Sequence, residues 1–189
     1  VDSWEADELC GVKGVLDAAE AANRRGLWVV GMVSYDAGPA FDVALRSLRA
    51  EDVPLASFAA FEAPTTTTLP SGGDFAIGRW EATRVRREYE ADIRRVKDLI
   101  ARGETYQVNY TMRLEADFDG DPLGFFAAMA RAQRSANHLA YLDFGDRAAC
   151  SASPELFIRR CGRTLESRPM KGTRPRHPDP VNDADIVRE

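Results

Sequence analysis

The feature that most constrains the fold is a pair of short β-forming runs near the end of the chain, Leu156–Arg160 and Arg163–Glu166, joined at Cys161-Gly162. Two such runs around a glycine predict an antiparallel hairpin. A hairpin returns the chain on itself, so the flanking loops are expected at a common edge. Those loops are Cys150-Ser-Ala-Ser-Pro-Glu155 and Arg168-Pro-Met-Lys171-Gly-Thr173-Arg-Pro-Arg176. Glu155 and Lys171, sixteen positions apart, would then offer a carboxyl group and an amine to one pocket. Gly172 permits close backbone approach and Thr173 adds a hydroxyl donor, which makes both candidate substrate-binding residues. Without further context, a loop lysine or an arginine-rich loop is ordinarily a solvated charge.

Composition narrows the setting of this chemistry. The 189 residues are 44% hydrophobic and 29% charged, enough for one sizeable core or two small ones. A net charge of −5 and a pI near 5.2 argue against nucleic acid as the main partner. No apolar run approaches the roughly 18–20 residues of a membrane span, so no membrane partner is expected, and the acidic opening Val1–Glu8 does not resemble a signal peptide. The three cysteines, Cys10, Cys150 and Cys161, lack C-x-x-C spacing and are expected as reduced, buried or half-buried thiols in a cytoplasmic protein. His138 and His177 are the only histidines, so no histidine-based metal site is expected, and no metal ligand is assigned in this chain.

Along the chain, Val12, Val15, Leu16, Ala19 and Ala22 form a helical stripe ended by Gly26. The apolar run 27–35 predicts a strand buried on both faces, followed by the turn-rich segment Asp36–Asp42. Leu55–Phe61 is a second strand, and Phe75–Thr83 a third. Between them lies Ala63–Gly73, rich in threonine, proline and glycine, read as a solvated connector. It divides the chain into residues 1–74, an N-terminal region with its linker, and residues 75–189. Tyr89, Ile93, Val96 and Ile100 predict an amphipathic helix over Arg87–Arg102, ended by Gly103. Alternation from Tyr106 to Glu115 predicts a half-buried strand whose polar face carries Gln107 and Asn109. These amides serve either a site or the hydrogen bonding of a core edge. Asp121-Pro122 reads as an N-cap and first helical residue, opening a helix to about Arg134. Leu139–Phe144 and Arg147–Ser151 read as strands around Gly145-Asp146. The fold class is therefore α+β, mainly antiparallel sheet with packed helices.

Three segments also carry a resemblance. SASPELF followed by PMKGTRPR resembles the paired signature of chorismate-utilising enzymes, S-x-S-P-E and then P-[IVM]-x-G-T-x-x-R. GMVSYDAGPAFDVAL resembles a pattern in their N-terminal region, with Asp36 in place of glutamate and Gly38 in place of alanine. For this segment a structural loop is the preferred reading. GETYQVNYTMRL resembles their G-[DE]-x-Y-Q-V-N segment. Asn137-His138 replaces the usual Asn-Pro, which puts in question a tryptophan pocket that some relatives build there. Lysine before Gly-Thr resembles the aminodeoxychorismate-forming members, whereas anthranilate-forming members have alanine.

The resemblance implies an anthranilate synthase component I-like fold, with residues 75–189 as the first part of the chorismate-binding domain. It implies Lys171 as nucleophile and Glu155 as general acid in replacing the C4 hydroxyl of chorismate by an amine. It further implies Mg²⁺ held by glutamates beyond this chain, and a glutamine amidotransferase subunit or domain that supplies ammonia. Arg168, Arg174 and Arg176 would favour a neutral lysine or meet a substrate carboxylate. The tail Asp183–Glu189 reads as the opening of a helix that is cut off, so the chain is expected to be a truncated fragment and inactive by itself.

Overall fold

The computed structural model describes residues 2–48, 53–69, 71–133, 138–169 and 178–179. The chain divides into two compact units, Val1–Thr68 and Leu69–Glu189, with the division inside the threonine-rich connector. Among the described residues helices and antiparallel strands are mixed, so the class is α+β.

In the first unit, β1 (Ser3–Ala6), β2 (Trp28–Val33) and β3 (Ala56–Phe61) form a three-stranded sheet in the order β1-β3-β2. Both pairings are antiparallel. Helix α1 (Leu9–Arg24) lays one face on this sheet because Val12, Val15, Ala19 and Ala22 recur every three or four residues. It ends where Gly26 takes φ 89°, a conformation that costs a residue with a Cβ. Val12, Ala37, Leu55 and Ala56 are buried together, with Trp4, Leu16 and Phe58 packed around them. The apolar run at Trp28–Val33 differs from its expectation. β2 lies at a sheet edge, and Trp28 is 56% exposed and Val30 49%. Register accounts for Trp28 and Val30, which stand opposite Phe61 and Ala59, the less buried residues of β3, while Val29 stands opposite buried Ala60 and Val33, at the end of the strand, is 42% exposed. Alternation then sends Trp28, Val30 and Met32 to the other face.

In the second unit, β4 (Phe75–Ile77) pairs with β7 (Phe118–Gly120), and β5 (Glu81–Ala82) with β6 (Leu114–Glu115). The single strand expected over residues 75–83 is thus two short ones. Helix α2 (Arg86–Ala101) forms as its periodicity predicts, opened by Glu88, whose carboxylate accepts from the Val85 N–H at 3.3 Å. The strand expected from Tyr106 is absent: residues 106–113 are irregular, and Tyr106 is 91% exposed. An alternating pattern forms a strand only where a neighbouring strand pairs with it, and here pairing begins at Leu114.

Helix α3 (Pro122–Ala132) starts as its sequence dictates, with Asp121 Oδ1 accepting from the Leu123 N–H at 2.9 Å. Asp121 Oδ2 also accepts from the Gly73 N–H at 2.5 Å, tying the end of the connector to the helix start. These two backbone donors, Gly73 first, hold the Asp121 carboxyl below the usual carboxylate range. α3 packs on β8 (His138–Asp143) and β9 (Ala148–Ser153), a hairpin turned at Gly145, with Phe126 and Tyr141 rings 5.6 Å apart. The chain closes its described part with β10 (Leu156–Cys161) and β11 (Thr164–Arg168).

The core of the first unit is small and dominated by alanine, so each large buried group matters. Val12 is fully buried, and Val12→Ala removes two methyl groups from a site walled by helix and sheet. The expected loss is about 1–3 kcal/mol of unfolding free energy, readable by urea denaturation.

Candidate active site

The expected hairpin forms. β10 and β11 are antiparallel, with Cys161 opposite Thr164, Arg159 opposite Glu166 and Leu156 opposite Arg168. Gly162 turns the chain at φ 59°, in the left-handed region. The register shifts between Leu156 and Arg159, a bulge that lets one strand carry extra residues against its partner. Because Leu156 faces Arg168, Glu155 and Pro169 emerge from the same end of the ladder. The loops on either side of the hairpin therefore start together.

Glu155 sits in a two-residue connection between β9 and β10. Its N–H donates to Ser153 Oγ at 3.2 Å, and the Ser153 hydroxyl is 3.1 Å from the Glu155 carbonyl oxygen. Those contacts fix the backbone of the turn and leave the carboxylate exposed. The burial that would suit a general acid is not supplied by the described residues. Lys171, Gly172, Thr173, Arg174 and Arg176 lie outside the described residues, as does the tail Asp183–Glu189.

Arg168 is not aimed outward as a lone cation. Its Nε lies 2.5 Å from Glu166 Oε1, while Arg159 holds Glu166 Oε2 from the opposite strand. The hydrogen bond from Arg159, and then that from Arg168, keeps the Glu166 carboxyl below the usual range. Glu166 was not singled out from the sequence. Counting outward from Cys161-Gly162 would have placed it near Arg159, because a hairpin of known turn has a fixed register.

A second cluster was also missed. The Tyr110 hydroxyl donates to Asp92 Oδ2 at 2.7 Å, and Arg84 Nη2 approaches the same oxygen at 2.7 Å. The Tyr110 ring packs edge-on against Tyr89, 5.4 Å between centroids. Tyr110 first and Arg84 next lower the Asp92 carboxyl, and the bond to Asp92 raises the Tyr110 phenol. Gln107 and Asn109 share a side, as alternation implied, with Gln107 Nε2 3.5 Å from Asn109 Oδ1.

The AGPAFD segment is a short 3₁₀ helix, Tyr35–Ala40, capped by Ser34 Oγ at 3.2 Å from the Asp36 N–H. Its Ala37 is fully buried, and Asp36 and Pro39 line a groove of about 450 Å³ with Glu8, Leu9, Cys10, Ser47 and Leu55. Of the cysteines, Cys150 is half-buried and burial pushes its thiol up, whereas Cys10 and Cys161 are exposed, contrary to expectation. Cys10 lies in the first turn of α1 and Cys161 at the hairpin tip, positions that no layer covers in the described structure. Among the described residues no group of three or more carboxylate, cysteine or histidine side chains converges to hold a metal. No described helix is long and apolar enough to cross a membrane.

A hairpin that opens from an S-A-S-P-E turn and closes into an R-P-M-K-G-T segment, preceded by a helix and a Y-Q-V-N segment, defines a class of protein. Residues 3–189 match the family described as chorismate binding enzyme, and the chain belongs to it. Relatives include an anthranilate synthase component 1 of Streptomyces coelicolor, 33% identical over 82% of this chain and 30% of that protein. An aminodeoxychorismate synthase of Streptomyces griseus is 50% identical over 47% of this chain and 12% of its own length. An aminodeoxychorismate synthase component 1 of Escherichia coli is 36% identical over 59% of this chain and 24% of its own. The chain thus spans less than a third of the length of these curated relatives.

The Glu166 cluster is directly testable in solution. Its carboxyl should titrate below the ordinary glutamate midpoint of about 4.3, followed by carboxyl-carbon NMR. Arg159→Ala should move the midpoint upward more than Arg168→Ala, since Arg159 makes the larger contribution. The lowered value also sets the direction of the stability effect. The contribution is complete above the unfolded-state value and is lost as pH falls through the folded one.

Proposed function

We propose that the chain is part of an aminodeoxychorismate synthase component 1, which converts chorismate and ammonia to 4-amino-4-deoxychorismate in 4-aminobenzoate and folate biosynthesis. The observation that carries this reading is Lys171 in Pro169-Met-Lys171-Gly-Thr173, next to a hairpin whose closing pair is Leu156 and Arg168. Lys171 follows Pro169 by two residues. Pro169 and Glu155 flank that closing pair. An amine and a carboxyl group can thus serve one substrate.

Each group then has one task. The neutral Lys171 amine attacks C2 of chorismate, the ring double bonds shift, and the C4–O bond breaks. The departing hydroxyl takes a proton from Glu155 and leaves as water. Ammonia adds at C4, the double bonds shift back, and the C2–N bond breaks to return the lysine. Gly172 and Thr173 are assigned to substrate binding through close backbone approach and a hydroxyl donor. Mg²⁺ belongs to this reading as a clamp on a substrate carboxylate, with ligands outside the described residues. A glutamine amidotransferase subunit or domain supplies the ammonia, in line with relatives that are called component 1. The protein is placed in the cytoplasm.

The second reading is anthranilate synthase component 1. It is favoured by the relative of that name that aligns with 82% of this chain. Product analysis separates the two. The complete gene product, given chorismate, Mg²⁺ and ammonium, should form 4-amino-4-deoxychorismate, and anthranilate fluorescence as the main signal would reverse the assignment. The 189 residues alone are expected to form neither product.

Lys171→Ala should lower kcat by orders of magnitude with a smaller change in KM, because the lost contact belongs to the chemical step. Glu155→Gln keeps shape but cannot donate the proton, and should cost about 10²–10⁴-fold. The double variant should lose less than the product of the single losses, since both groups act on one step. A Lys171→Ala enzyme with near-normal kcat would show that the lysine is a solvated loop charge.

A further inference from the structure

The hairpin of β10 and β11 is irregular in one defined place. Between the pairs Leu156–Arg168 and Arg159–Glu166, β10 has two residues, Phe157 and Ile158, where β11 has only Ser167. This is the two-against-one count of a β-bulge. Burial of one face normally fixes the register of a strand, and here that constraint is weak. Among the described residues the two strands pair only with each other, Phe157 is 87% exposed, and Ile158 and Leu165 are exposed as well.

The bulge decides how Glu155 leaves the ladder. Regular pairing continued from Arg159 and Glu166 would set Leu156 against Pro169, and the extra residue sets it against Arg168 instead. A shift by one place turns side chains to the opposite face of a strand. The face on which Glu155 emerges beside β11 therefore depends on the bulge being kept. One side chain spans the irregularity. Glu166 Oε2 accepts from Arg159 on the tip side of the bulge, and Glu166 Oε1 accepts from Arg168 Nε on the closing side at 2.5 Å. The Glu166 side chain is half-buried, whereas both arginines are exposed.

We propose that Glu166 is a positioning residue for Glu155: it clamps the β-bulge from both sides and so fixes the direction in which Glu155 leaves the hairpin. This rests on the chorismate-converting reading above, in which Glu155 gives its proton to the leaving hydroxyl. The two arginines hold the Glu166 carboxyl below the usual carboxylate range, so the clamp is charged at neutral pH. Its strength as an exposed network is small in stability terms. A small bias is enough where the apolar pattern does not choose between neighbouring registers.

The test measures chorismate kinetics of the complete gene product. Glu166→Ala should lower kcat about tenfold, part of the roughly 10²–10⁴-fold that a general acid supplies, and leave KM within about twofold. Glu166→Gln, with one acceptor oxygen in place of two, should fall between this variant and the parent. Arg159→Ala should match Glu166→Ala, and the two together should lose little more than either, because both undo one clamp. The deciding measurement is made in the Glu155→Gln background. With the acid already absent, Glu166→Ala should cost less than about twofold further. An equal loss in both backgrounds, or a Glu166→Ala enzyme with the parent's kcat, overturns the proposal and makes the network purely structural. A parent enzyme that consumes no chorismate, or a Glu155→Gln enzyme with the parent's kcat, overturns the functional reading itself, and the positioning role with it.

Discussion

Backbone pairing between β10 and β11 sets Leu156 against Arg168, so Glu155 and Pro169 leave the ladder at the same end. The pairing is a matter of register. Gly162 takes a left-handed turn, and Arg159 meets Glu166 across the ladder. A slip by one residue would turn every side chain of one strand to the other face and part that ion pair. Glu166 gathers a second cation from Arg168 two residues on, so the charge network belongs to the closing end of the hairpin. Exposed ion pairs of this kind contribute little to stability. Their use here is to favour one register over its neighbours.

The two units depend on different physics. The first is a small apolar core in which α1 covers one face of a three-stranded sheet, with alanine at many of the contacts. Small residues let helix and sheet approach closely, and the buried Ala37 of the 3₁₀ helix joins the same cluster. The structural reading of the AGPAFD segment thus has a physical basis. In the second unit, two-stranded ladders predominate, joined to helices by specific polar contacts such as Asp121 with Gly73 and Asp92 with Tyr110. Ladders of two strands bury few side chains, and the apolar stripe of α2 holds no fully buried residue.

Several elements were legible because their signals are local. The N-cap and proline at Asp121-Pro122, the helical stripe from Tyr89 to Ile100, and the glycine turns at Gly145 and Gly162 each depend on a few neighbouring residues. Signals that need a distant partner misled. Tyr106 to Met112 alternate as a strand would, yet among the described residues no strand pairs with them. The run at Trp28–Val33 is apolar throughout, but its neighbour β3 lies on one side only. Asp92 attracted no notice in the sequence, because Tyr110 stands eighteen residues away and only the return of the chain past α2 brings them together.

For the candidate site the division is similar. By itself the sequence determined which groups are present: a lysine before Gly-Thr, a glutamate after Ser-Pro, and a glycine turn between two β-forming runs. These are properties of residue type and short spacing, and they were enough to indicate the family. Tertiary structure decided the bulge between Leu156 and Arg159, the exposure of Glu155, the enclosure of Glu166 by two arginines, and the fastening of Tyr110 to α2. Such features arise from which strands and helices meet. Pairing between segments far apart in the chain is a cooperative outcome that no short window of residues contains.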